Sequence, residues 1–377
     1  MKILIPILGF DRTGGYRVLS ELAGAWVRQG CTVDFLSPAT SAPPYFPTAA
    51  GILWVGNIGQ VSRTQPEFPG RITGFDNLRK IYQGCRAIGG EYDVILANHS
   101  LTTWPIWLAQ PKHSNLVYYV QAYEPDYYRD ERQPLKWLLS FLSYELPFSI
   151  IVNSPIYAYL WRGIASRGAG VVPFGIDLDI FHAKPAAGVG GSGDFVIGCI
   201  GRREPSKGTR YVLEAFEALA AADDSVRLRV AYGNLPDGWS HPRAEIVVPS
   251  NDRELADFYR SVDVLVAPGL LQHGAPHYPV LEGMACGVPV VNTFYIPANH
   301  GNSWIVPPRD PGAIAEAVRQ IRSDPARQDR IELAIGDAKA FEWTVVAGRM
   351  LELFRTHRDI RPEDLPTAPK DLPAWAD

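Results

Sequence analysis

Short apolar runs alternate with segments of helical spacing along most of the chain. Residues 3–8 read as a buried strand and 9–15, GFDRTGG, as a loop. Residues 16–28 then place Val18, Leu19, Leu22, Ala23 and Trp26 on one helical face, closed by Gly30. Residues 32–36 form the next strand, so the chain opens as a βαβ unit. Residues 38–77 carry no clear period and read as one long functional loop. Strands are predicted at 92–97, 116–120, 149–153 and 171–173. A second series begins with a strand at 195–200, a helix at 211–220 and strands at 226–232 and 245–248. A helix at 252–261, a strand at 264–267, a helix at 280–286 and a strand at 288–292 follow. The strand 304–306 and the helices 311–323 and 341–357 complete the pattern. Strands apolar on both faces, separated by helices, belong to parallel sheets covered on both sides. The predicted fold class is α/β, with two doubly wound parallel-sheet domains. The first spans 1–173, the second 195–340, and 174–194 is a linker containing AKPAAGVGGSGD. The Pro-rich stretch 361–377 reads as a mobile tail.

Composition narrows the class of protein. Of 377 residues 46% are hydrophobic and 20% charged, an ordinary globular balance with length enough for two domains. The net charge of −4 argues against nucleic acid as the main partner. Lys and Arg number 15 against 12 Asp and Glu up to Pro173, and 21 against 28 beyond it. The first half is thus mildly basic (+3) and the second acidic (−7). Cys31, Cys85, Cys199 and Cys286 form no close pair and read as reduced thiols of a cytoplasmic protein. Met1 and Lys2 run straight into a strand, so no signal peptide is expected. The longest apolar stretch, 137–152, is broken by Glu145 and Pro147 and is too short to cross a membrane.

The chemistry concentrates at strand ends. Residues 262–293 run strand, loop, helix, strand, and the loop falls at the carboxyl edge of a sheet, where open α/β sheets bind ligands. Glu282, between Leu281 and Gly283, has two readings: a carboxylate stabilising the helix N-terminus, or one accepting hydroxyl hydrogen bonds from a ribose or sugar. The loop 201–208, GRREPSKG, stands just before a helix. Arg202 or Arg203 and Lys207, with the N–H groups of that helix, make a pyrophosphate site; the bland reading is a solvated basic turn. Gly14 and Gly15 either permit a tight turn or turn backbone N–H groups toward a ligand. No dinucleotide glycine fingerprint is present. His99 ends a strand. Gln121 to Tyr128, QAYEPDYY, sets three tyrosines beside Glu124 and Asp126, a mixture suited to carbohydrate, or a solvated loop with aromatic anchors. Asp177 and Asp179 form a D-x-D, a motif that elsewhere marks a metal.

VLEGMACGVPVV resembles the donor-site segment of the retaining glycosyltransferases of family 4, which have the GT-B fold: two Rossmann-like domains facing a cleft. Their pattern pairs two glutamates eight residues apart. Glu282 matches the second, which in that family holds the nucleotide ribose; Gly274 stands where the first would be, and Pro268 lies about two residues too far upstream. Gln272, His273 or His277 would fill the vacated space. The resemblance also implies donor contacts from Gly14, Gly15, Gly201, Arg203, Gly274, Tyr278, Pro279, Val280 and Leu281. The family's Gly-Arg, four residues, Lys-Gly pattern fits 201–208, so Arg202 and Lys207 would neutralise the departing diphosphate. His99, Gln121, Tyr123 and Glu124 become acceptor-side candidates. The segment 174–179 resembles the family's crossing into the second domain, which needs no metal, and the helix 341–357 would return to the first domain. The run around Gln121 is similar to a bacterial subgroup containing rhamnosyltransferases that build surface polysaccharides.

The expected function is retaining transfer of a hexosyl or deoxyhexosyl group from a nucleoside-diphosphate sugar to an acceptor hydroxyl, without metal or cofactor. The partners implied are a nucleotide-sugar donor and a glycan or lipid-linked acceptor, with peripheral contact at the inner membrane. The alternatives carried are a catalytically silent GT-B subunit that binds nucleotide or glycan, and an epimerase of the same fold.

Overall fold

The computed structural model describes residues 1–66, 74–154, 170–183, 193–270 and 276–356. The expected tail, residues 184–192 of the linker, and Gln272, His273 and Gly274 lie outside these residues. The chain divides into two compact units, one of residues 1–174 with a returning C-terminal helix, the other of residues 175–342.

The first unit alternates strands and helices: β1 (Lys2–Pro6), α1 (Gly14–Arg28), β2 (Thr32–Pro38), β3 (Gly51–Val55), β4 (Val61–Ser62), α2 (Gly74–Ile88), β5 (Val94–Ala97), α3 (Ser100–Ala109) and β6 (Asn115–Val120). Then come α4 (Glu124–Asp130), α5 (Pro134–Leu142), β7 (Ser149–Val152) and β8 (Gly170–Val171). The sheet order is β4-β3-β2-β1-β5-β6-β7-β8, parallel except for β4. Strand order reverses between β1 and β5, so the loops after those strands open the crevice where such sheets bind ligands. Three expectations need correction. The segment 38–77 is not one loop: Leu53, Trp54 and Val55 are buried in β3, and α2 starts at Gly74. A five-residue strand among prolines and glycines is too short to show a period. Residues 124–128 are helical, not a loop, with Pro125 in the first turn. The strand expected at 171–173 is paired only at Gly170–Val171.

The second unit runs β9 (Phe195–Ile200), α6 (Thr209–Ala222), β10 (Val226–Ala231), β11 (Ala244–Val247), α7 (Asp252–Arg260), β12 (Val264–Ala267), α8 (Tyr278–Ala285), β13 (Val290–Asn292), β14 (Trp304–Ile305), α9 (Pro311–Ser323) and α10 (Arg327–Ala338). Its sheet order is β11-β10-β9-β12-β13-β14, parallel throughout. The reversal lies between β9 and β12. Phe195, Ile197, Val264, Val266, Val291 and Trp304 pack with Phe216 and Ile321 into its core. Asp177 accepts the backbone N–H of Asp179 in a turn, and no group of three metal-ligating side chains exists among the described residues.

The last described helix, α11 (Trp343–Thr356), belongs to the first unit. Its apolar face covers α1: the Trp26 and Phe354 rings lie 5.6 Å apart, and Trp26 Nε1 donates to the Ala347 carbonyl at 3.1 Å. Gln29 Nε2 donates to Thr344 O at 2.8 Å.

Candidate functional site

In the second unit, the loops after β9 and β12 meet at the strand reversal. Two glycines make that possible. A Cβ on Gly201 would overlap the Gly233 carbonyl oxygen, and one on Gly208, which has φ +74°, would overlap that of Pro268. Thr209, the first residue of α6, ties the loop from below: its Oγ1 accepts from Arg202 N at 3.1 Å and donates to Arg202 O at 2.9 Å. Leu270 N donates to Ser206 O at 2.8 Å, joining the two loops. Arg202 and Lys207 therefore stand on a rigid backbone and line one cavity with Cys199, Thr209, Pro268, His277 and Pro279. Neither cation forms an ion pair or a side-chain hydrogen bond among the described residues. Loss of hydration, and then the neighbouring Arg202, lower the Lys207 pKa. Exposed Arg203 points a third positive charge from the same loop.

His277 precedes α8 with extended backbone, and its carbonyl accepts the N–H of Leu281 at 3.0 Å. Its ring stacks on Tyr295 at 4.5 Å and 24°. Burial, then Lys207 and Arg202, push its pKa down to about 3, so the ring is neutral at ordinary pH. Val280 and Leu281 have fully buried side chains, and Pro279 borders the cavity.

Glu282 lies in the body of α8, one turn past its start, so it does not cap the helix. It is 2% exposed, and its Oε2 accepts the Tyr259 hydroxyl at 2.8 Å. Burial, and then the Glu282 charge, raise the Tyr259 pKa, which keeps that donor protonated. Tyr259, at the end of α7, carried no sign in the sequence of being this partner, because the pair is joined only by the packing of α7 on α8.

In the first unit, the acceptor-side candidates gather after β5 and β6. His99 caps α3, its Nδ1 accepting from Leu101 N at 3.1 Å. That assigns the ring proton to Nε2, which then donates to the Tyr128 hydroxyl at 3.2 Å. Glu124 Oε2 accepts from Ser100 N at 3.0 Å and Ser100 Oγ at 2.5 Å, so this buried carboxylate sits on the α3 N-terminus as well as opening α4. It lies 3.4 Å from His99 Nδ1. Gln121 Nε2 donates to Gly15 O at 3.3 Å, which brings the first glycine loop beside the end of β6. Tyr123 stacks one face on Tyr144 at 6.0 Å. Gly14 and Gly15 open α1 without positive φ, and a Cβ on Gly14 would meet nothing. Ser100 and Tyr128, which complete the cluster, were missed as site residues.

Two family models match the chain: Glycosyltransferase Family 4 over residues 12–180 and Glycosyl transferases group 1 over residues 194–324. A D-inositol 3-phosphate glycosyltransferase of Streptosporangium roseum is 24% identical over 92% of this chain and 89% of that protein. The counterpart in Thermobispora bispora is 28% identical over 50% of this chain, which spans about half, 52%, of that relative. Sucrose-phosphate synthase from Thermosynechococcus elongatus has a similar fold, with a TM-score of 0.69 at 21% identity over 95% of this chain and 99% of that one. HepE of Anabaena, solved in complex with UDP-glucose, gives 0.65 at 18% identity over 93% and 98%. With two parallel-sheet α/β units and a glycosyltransferase domain model on each, the chain takes its place among the GT-B glycosyltransferases.

Proposed function

We propose that the protein transfers a sugar from a nucleoside-diphosphate sugar to an acceptor hydroxyl with retention at the anomeric carbon. One observation carries this reading: Arg202 and Lys207 line a cavity at the strand reversal, and neither is in salt-bridge contact with a carboxylate among the described residues. Two fixed cations at a helix N-terminus suit a diphosphate. As the bond from the anomeric carbon to the phosphate oxygen breaks, negative charge gathers on the diphosphate, and the two cations stabilise it. The acceptor oxygen bonds to the anomeric carbon and its proton passes to the departing phosphate oxygen. The cations supply the charge neutralisation for which other transferases use a metal, which supports metal-independent transfer. Glu282, anchored by Tyr259, is the candidate for the ribose hydroxyls.

A bacterial surface glycan or glycolipid is the acceptor class we favour, with a deoxyhexose such as rhamnose among the candidate donor sugars. The His99–Glu124–Tyr128 cluster offers hydroxyl-recognising groups for the acceptor. Peripheral membrane contact is supported by α5, where Leu135, Leu138 and Leu142 are 68%, 44% and 38% exposed on one helical face. No described helix is long and apolar enough to cross a membrane.

A thermal-shift screen against UDP, GDP, dTDP, ADP and CMP, with and without Mg²⁺, tests the site. A nucleotide at about 100 times its Kd adds about 2.7 kcal/mol. One nucleoside diphosphate should shift the wild type equally with and without Mg²⁺. Lys207→Ala should abolish the shift and lower transfer by about 100-fold or more. No shift with any nucleotide, or full turnover in Lys207→Ala, rejects the reading and favours a silent glycan-binding subunit.

A further inference from the structure

A sheet ends in unpaired backbone, and natural proteins blunt such edges. Three of the four sheet edges here are strands of only two residues, β4, β8 and β14. The fourth, β11, has four residues, and no lysine stands between Pro242 and Pro249 to guard it. Its pairing with β10 shows which groups stay free. Leu228 N donates to Arg243 O at 2.9 Å and Tyr232 N to Val247 O at 2.7 Å, so those carbonyls face β10. Alternate residues of a strand bond to opposite sides, so the backbone groups of Ala244, Ile246 and Val248 face outward. Ala244 N turns back to His241 O at 3.0 Å, but the outward groups of Ile246 and Val248 have no partner among the described residues. The side chains of Ile246 and Val248 are 56% and 69% exposed. Among the described residues of the second unit, Leu333 is the one other large hydrophobic left so open.

We propose that β11 pairs antiparallel with β11 of a second copy of this chain, about a twofold axis at Ile246. In that register each Ile246 exchanges both backbone bonds with the other, and each Val248 N–H reaches the Ala244 carbonyl opposite. The strand offers a donor for every acceptor it meets, which is the self-complementarity a twofold interface requires. On the same face Ile246 meets Ile246 and Val248 meets Ala244, so the exposed apolar side chains cover one another. The charges permit this pairing. Glu245 comes opposite Val247 and is held by Arg229 at 2.9 Å. Arg243 comes opposite Pro249 and is held by the Ala220 and Asp223 carbonyls. No like charges are directly opposed. β10 stands between β11 and the β9–β12 reversal, so the pairing does not use the loop that carries Arg202 and Lys207. A strand edge alone buries less than the roughly 1,000 Å² of a stable interface, so the dimer is weak, with a Kd on the order of 10–100 μM.

The test is sedimentation velocity of the full chain from about 1 to 300 μM, where the weight-average mass should rise from one chain toward two. Ile246→Lys sets two ammonium groups against each other at the axis and should weaken the dimer at least about tenfold. Val248→Pro deletes an outward N–H without adding charge and should weaken it by a similar factor. Residues that exchange both bonds in an antiparallel pair have Cα atoms about 5.5 Å apart, within the span of a disulfide. Ile246→Cys should therefore give a covalent dimer on mild oxidation, read against oxidised wild type for whatever Cys31, Cys85, Cys199 and Cys286 contribute. Should Val248→Pro lose its melting transition, the two Ile246 variants, altered at an exposed side chain, make the comparison. A wild type that is monomeric throughout overturns the proposal and leaves the edge to an extended segment of another protein. A dimer unmoved by Ile246→Lys, or no more cross-linking in Ile246→Cys than in the wild type, overturns it by placing the interface elsewhere.

Discussion

Tyr259→Phe is the most direct probe of why Glu282 tolerates burial. The hydroxyl of Tyr259 donates to Glu282 Oε2 at 2.8 Å, Tyr259 is fully buried, and Glu282 is 2% exposed. Removing the hydroxyl leaves the aromatic packing in place and deletes one donor to a carboxylate that water cannot replace. A hydrogen bond to a charged group is worth about 1.5–3 kcal/mol. In a unit of this size each kcal/mol moves the melting midpoint by about 2–4 °C, so a fall of about 3–12 °C is expected. Urea denaturation should show a lower midpoint with unchanged slope, because the compactness of both states is preserved. The double variant Tyr259→Phe/Glu282→Met replaces donor and acceptor with apolar groups of similar shape. It should lose less stability than the two single variants summed, with a coupling above about 0.5 kcal/mol. A Tyr259→Phe midpoint within error of the wild type, or strict additivity in the double variant, refutes the claim that this bond holds the carboxylate.

Two further outcomes are expected. The folded-state pKa of His277 lies near 3, below that of an unfolded histidine, so between about pH 6.5 and 3 the unfolded chain binds the extra proton. Its contribution to stability is therefore complete above about pH 6.5 and is lost as pH falls, and His277→Gln should flatten the stability–pH curve in that window; an unchanged slope contradicts the buried neutral ring. Trp26→Ala removes a fully buried indole, its bond to Ala347 and its contact with Phe354, and should cost about 3–5 kcal/mol in chemical denaturation; a loss below about 1 kcal/mol would show that α11 is not held on the first unit through this residue.

The α/β class, the order of most strands and the places where chemistry gathers are legible in local pattern. Runs such as 195–200 and 264–267 are apolar on both faces, and only a strand covered by helices on both sides suits them. The loop 201–208 was legible because glycines, cations and a following helix start are all local features. Segments without a local period were not: β3 is five residues long, and α4 begins within a cluster that reads as a loop. How the site residues are held depends on packing between distant elements. Tyr259 meets Glu282 across two helices, Ser100 meets Glu124 across a strand, and His277 meets Lys207 and Arg202 across the strand reversal. These partners lie 23 to 75 positions apart in the chain, and no periodicity extends so far. Sequence pattern records which face of an element is buried, whereas the fate of a buried polar group depends on which other element arrives there.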